Sequence, residues 1–155
     1  MSEQAGFTLF EIILSILAVG ILAGIVLIAI RPTSQLSDAR NNERNVDLSS
    51  ILNAIYQYTL GNGGIVPANL TTTTCSLAVN EVCKTGIATT TCASNNLVDL
   101  SLLTNNGKYI PSIPIDPMGG EQANGTGYHV VKTTGNKIEV CAPKAENGAT
   151  IDIQR

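Results

Sequence analysis

The sequence predicts an α+β fold: one long N-terminal helix packed on a small antiparallel sheet of about three strands. Three stretches predict it. From Phe7 to Ile30 the chain is apolar, with Glu11 the only charge. From Val46 to Tyr58, the residues Val46, Leu48, Ile51, Leu52, Ile55 and Tyr58 keep close to the i, i+3, i+4, i+7 spacing of a helix with one apolar stripe. Near the C-terminus, Gly127–Lys132 and Lys137–Ala142 flank Thr133-Thr134-Gly135-Asn136, a hairpin pattern.

The apolar run is long enough to matter. At about 1.5 Å per residue it reaches roughly 36 Å as a helix, enough to cross a bilayer core of about 30 Å with some tilt. A carboxylate in such a segment is costly, which marks Glu11 as a functional candidate. Pro32 interrupts the run and predicts a bend rather than an end. Gly61-Asn62-Gly63-Gly64 stops the amphipathic half, so a single helix over about residues 8–60 is expected. An apolar first half needs lipid or copies of itself around it, and the striped second half needs a sheet.

Beyond the helix the pattern weakens. Thr71–Thr74 and Thr89–Thr91 are threonine runs among Cys75, Cys83 and Cys92 and read as an exposed loop pinned by disulfides. Asn96–Leu103 reads as a short helix with Leu97, Leu100 and Leu103 on one side. Ala149–Gln154 alternates Ile151 and Ile153 with Asp152 and Gln154, giving a third strand with one wet face.

Composition limits the functions available. Net charge is −3 over 155 residues, without blocks, and Trp is absent, which argues against a nucleic-acid surface. The four cysteines, with Cys141 the last, suggest two disulfides and an oxidising compartment. Three pairings are open. One of them ties Cys141 to Cys92 and leaves Cys75 and Cys83 to close a small loop. With one histidine and no Cys-x-x-Cys pair, zinc is disfavoured. His129, between Tyr128 and Val130, is expected as an exposed strand residue. No nucleophile motif, phosphate loop or paired carboxylate occurs, so no catalysis and no cofactor are expected. Asp116, Glu121 and Asn124 are weak calcium candidates, because the dense acidic loop pattern is missing. Asn69-Leu70-Thr71 and Asn124-Gly125-Thr126 match the glycosylation pattern and carry little weight.

Gly6-Phe7-Thr8-Leu9-Phe10-Glu11 resembles the processing site of type IV pilins and the related pseudopilins, and Gly20-Ile21-Leu22-Ala23 matches a common step further along the same helix. The resemblance is strong over about Gly6–Ala23. It implies a pilin-like fold, cleavage after Gly6 by a prepilin peptidase and N-methylation of Phe7. It also implies that Glu11 neutralises the N-terminus of a neighbouring subunit during filament growth. The implied partners are copies of the chain, the peptidase, the inner-membrane assembly machinery and, before assembly, lipid. The implied organisation is a leader at 1–6, a membrane and filament-core helix at 7–30, its amphipathic half at 31–60 and a globular head at 61–155. Ile113-Pro114-Ile115-Asp116-Pro117-Met118-Gly119 is similar to a stretch found before the sheet in many pseudopilins and some pilins. The leader departs from the family in carrying Glu3 and no basic residue. Arg31, Arg40 and Arg44 follow the span and by the positive-inside rule would hold the head in the cytoplasm. The cysteines and the motif place it outside, and that topology is the expectation taken. The expected sites are the inner membrane for the precursor and a surface pilus for the assembled chain.

Overall fold

The computed structural model describes residues 6–30, 32–68, 70–77 and 80–155. The chain divides into two units, one ending at Leu36 and one from Ser37 to Arg155.

In the first unit, helix α1 spans Leu9–Ile30. Thr8 starts it: the Glu11 amide donates to Thr8 Oγ1 at 3.3 Å, which satisfies one of the helix's orphan donors. Its stretch Leu9–Ile28 is long and apolar enough to cross a membrane, and none of its residues is buried within the chain. Helix α2 spans Pro32–Gly61. Proline is well tolerated at a first helical position, where no intrahelical amide is needed. The bend expected near Pro32 adjoins Arg31, which lies outside the described residues, as does the leader up to Ala5.

In the second unit, α2 buries Leu48, Ile51, Leu52, Ala54 and Ile55, each no more than 2% exposed. Fully burying a leucine or isoleucine side chain stabilises by about 1.5–3 kcal/mol. Val46, expected on this stripe, is exposed instead, because it is two residues before Leu48 and so turned well away from it. The helix ends as its glycines predict: the Gly64 amide reaches back to the Thr59 carbonyl at 2.9 Å, and Gly63 takes a positive φ.

The stripe packs on a four-stranded antiparallel sheet of order β1-β2-β3-β4: Glu81–Cys83, Gly125–Lys132, Ile138–Cys141 and Asp152–Gln154. Val82, Tyr128, Val130, Ile138 and Val140 meet the helix there in one core. The hairpin stands where its turn residues predict it, and the last strand is the second half, Asp152–Gln154, of the expected Ala149–Gln154. In the turn, the Asn136 amide donates to the Thr133 carbonyl at 2.9 Å, with Asn136 at φ 64°.

The sheet has one strand more than expected. β1 is only three residues long and wholly buried, so it shows no alternation. Its far side is occupied by Val98, whose amide donates to the Glu81 carbonyl and whose carbonyl accepts from the Cys83 amide. That bridge corrects the helix expected over Asn96–Leu103. Asn96 takes a left-handed φ of 55°, Val98 is extended beside β1, and only Ser101–Thr104 (α4) is helical. The Thr89–Thr91 loop is corrected in the opposite sense. Thr89–Ser94 forms the short helix α3, whose inner residue is Cys92.

Candidate functional site

The residues that carry the processing and assembly expectation lie together at the start of α1. Gly6, Phe7 and Thr8 precede the helix, and Glu11 is in its first turn. A carboxylate is favourable there, since it faces the positive end of the helix dipole. Thr8 and Glu11 stand at the spacing of a capping box, a signal in the sequence that the motif reading passed over, and the Thr8 half of it is formed. Phe7, Leu9 and Phe10 are all more than 70% exposed. At Gly20 and Gly24 an added methyl would meet nothing, so this small-residue step is open on the chain's own surface.

The head contains a second polar centre that the sequence reading missed. Arg44 is fully buried and holds Asp116 through two parallel bonds, Nε to Oδ2 at 2.7 Å and Nη2 to Oδ1 at 3.0 Å. Its Nη1 donates to Asn41 Oδ1 at 2.8 Å and to Glu146 Oε2 at 3.0 Å. Arg40 closes the group, with Nε on Glu146 Oε2 at 2.6 Å. Such forked, charge-assisted bonds favour the ionised forms on both sides. The Arg44 guanidinium is accordingly held above its ordinary value, chiefly by Asp116. The Glu146 carboxyl is pushed down to about 2, chiefly by its bonds to Arg40. Two of the three arginines that entered the topology argument thus serve ion pairs of the head. Nearby, the Tyr128 hydroxyl donates to Asp47 Oδ2 at 2.6 Å. Burial raises the Tyr128 hydroxyl and, against that bond, the Asp47 carboxyl.

Two of the weak calcium candidates, Asp116 and Glu121, are otherwise engaged. Asp116 faces Arg44, and Glu121 faces Lys144 Nζ at 3.5 Å. That ammonium also donates to the carbonyls of Gly119 at 2.8 Å and Gly120 at 3.0 Å. The Asn124 carbonyl accepts from the Lys84 amide. Among the described residues, no three His, Cys, Asp or Glu side chains are grouped to hold a metal ion. Thr126 of the second glycosylation pattern is fully buried and donates to the Val82 carbonyl; Asn69 of the first lies outside the described residues.

The cysteines pair as Cys75–Cys141 and Cys83–Cys92. This replaces the arrangement of Cys92 with Cys141 and Cys75 with Cys83. The reason is spatial: β1 puts Cys83 beside α3, and the segment before β1 runs alongside β2, with Thr72 bridging Lys132, and so reaches Cys141 on β3. His129 is corrected too. It is fully buried, opposite Glu81 in the β1–β2 register, with Leu77, Asn96 and Gln122 around a small cavity there. β2 is covered on both faces, so neither of its two alternating sets is wet.

Comparison of the chain with family models, with curated proteins and with solved structures gives no match.

Proposed function

We propose that the chain is a structural subunit of a type IV pilus, cleaved after Gly6, N-methylated at Phe7 and polymerised through α1. The observation that carries this reading is Glu11: one acid in the first turn of an apolar helix whose residues Leu9–Ile28 are all unburied. Cleavage would place a new amine four residues before that carboxylate. Opposite charges attract far more strongly in a low-dielectric bundle than in water, so a Glu11 carboxylate paired with the terminal amine of a neighbouring copy would select for assembly. The apolar helices would exchange lipid for one another, and the disulfide-bonded heads would coat the filament on the outer side of the membrane. The role is structural, and no chemistry of its own is assigned to the head.

A pseudopilin of a secretion or DNA-uptake apparatus is the second reading, favoured by the Ile113–Gly119 stretch, which Asp116 ties to α2 through Arg44. Mass spectrometry of the N-terminus from a native membrane or surface fraction tests the part common to both. A chain beginning at methylated Phe7 is expected. A mature surface chain still beginning at Met1 or Ser2 would replace both readings with a membrane-tethered domain that never polymerises.

A further inference from the structure

Where α2 ends, a groove of about 490 Å³ opens on the head, within the size range of small-molecule sites. Its walls combine three chemistries. Tyr58 and Tyr109 meet edge to face, with ring centroids 5.6 Å apart, and both remain half-buried. Asn62, Asn105 and Asn106 supply side-chain amides. Lys108 is exposed and lies with Nζ 5.0 Å from the Tyr109 centroid.

The polar groups are available for a ligand. The Asn62 amide donates to the Tyr58 carbonyl at 2.7 Å and keeps its own oxygen. Among the described residues, the Asn105 and Asn106 side chains make no hydrogen bond and Lys108 makes no ion pair. Asn106 is held at φ 54° between Asn105 and Gly107, with the Lys108 amide on the Asn105 carbonyl at 3.1 Å. A left-handed asparagine is well tolerated in a tight turn, and this turn places Asn105 and Asn106 in the lining of the groove that Tyr58 and Tyr109 share.

The geometry points to a binding site for an acidic sugar, a pyranose carrying a carboxylate. The apolar C–H face of such a ring stacks on a tyrosine, its hydroxyls exchange donors and acceptors with amides, and its carboxylate pairs with an ammonium. Lys108 already covers the Tyr109 ring, so it is placed to swing from ring to carboxylate as the sugar enters. Single-stranded nucleic acid shares the stacking and the charge but needs a basic track. One lysine in a chain of net charge −3 is not such a track. The amides match hydroxyls better than phosphates. The site does not depend on whether the chain polymerises.

Calorimetric titration of the full chain in detergent micelles tests the assignment, with trigalacturonate, its fully methyl-esterified form and a thymidine pentanucleotide as probes. Trigalacturonate is expected to bind saturably. The ester should bind about tenfold more weakly, the worth of one charge-assisted bond. Lys108→Gln should bring trigalacturonate down to the ester's level, and Asn106→Gly should weaken both sugars. Both residues are exposed, and glycine suits the φ of residue 106, so circular dichroism should be unchanged. Absence of saturable binding up to about 10 mM would overturn the proposal, since weaker binding is worth under about 3 kcal/mol. Binding unaffected by Lys108→Gln would overturn it too, as would a pentanucleotide that binds as tightly as trigalacturonate.

Discussion

Arg44 and Asp116, 72 residues apart, form a forked ion pair with neither side chain exposed. The pair fastens the midpoint of α2 to the proline-rich loop before β2. Taking two charges out of water is costly, and breaking such a pair from one side leaves the other charge buried alone. Arg44→Met and Asp116→Leu should each destabilise the head by about 3–5 kcal/mol, while the double variant should lose clearly less than the sum. Urea denaturation of the four proteins checks this, and an additive double variant would dismiss the coupling.

Acid should loosen the same region. The folded Glu146 carboxyl is held down to about 2, whereas an unfolded glutamate titrates near about 4.3. Its contribution is therefore complete above the unfolded value and is lost as pH falls from there toward the folded one. Burial raises the Asp47 and Glu139 carboxyls, with Asp152 adding to the shift at Glu139, and these two act in the opposite sense. Melting temperatures from about pH 6 down to about pH 2 should show a steeper acid limb in the natural chain than in Glu146→Gln. Equal slopes would remove Glu146 as the cause.

The two disulfides should not be worth the same. Cys75–Cys141 spans 66 residues and Cys83–Cys92 spans 9. Chain entropy alone assigns about 4 kcal/mol to the longer loop and about 2.5 to the shorter. Replacing both members of each pair by serine, with urea titration, should rank them in that order. Peptide mapping of the unreduced protein checks the pairing itself; fragments joining Cys92 to Cys141 would contradict it.

Gly127 is a point of tight backbone approach. It has φ +84°, and a methyl there would lie 2.7 Å from the Gly119 carbonyl oxygen and 2.8 Å from Asp116 Cβ. Gly127→Ala should cost at least about 1–3 kcal/mol through the strained φ alone. Gly148→Ala, also at positive φ but with open space around it, should cost less. A melt in which the two variants coincide would argue against the contact.

Glu11→Ala should leave membrane insertion intact, or improve it, since it deletes the only charge in the span. Filament yield, read by shearing and immunoblot, should fall at least about tenfold if the carboxylate neutralises an incoming amine in the core. Normal filaments from that variant would set aside the neutralisation mechanism while leaving the processing reading to the N-terminal mass.

What the sequence made legible was local. α1, the stripe of α2, the glycine stop and the Thr133–Asn136 hairpin depend on neighbours a few residues away, and apart from the exposed Val46 each stands as expected. β1 was hidden because three buried residues carry no period. Arg44 entered only as a charge following the span, because its partners Asp116 and Glu146 lie far along the chain. His129 looked exposed because alternation cannot announce that a strand is covered on both faces. The cysteine pairing depended on β1 and α3, which were not visible, so it could not have been chosen beforehand. Glu11 was legible for the reverse reason: a charge in an apolar helix contradicts its surroundings without any tertiary knowledge.

The longer disulfide also has a mechanical consequence. Under tension an unfolding domain lengthens by the chain it releases, up to about 3.3–3.6 Å per residue. The covalent link between Cys75 and Cys141 keeps those 66 residues out of the load path. That withholds roughly 220–240 Å of contour length from any pull on the chain's two ends. Pulled by its ends, the oxidised head acts as a short tether around a closed ring, and reduction would let it out into a long one.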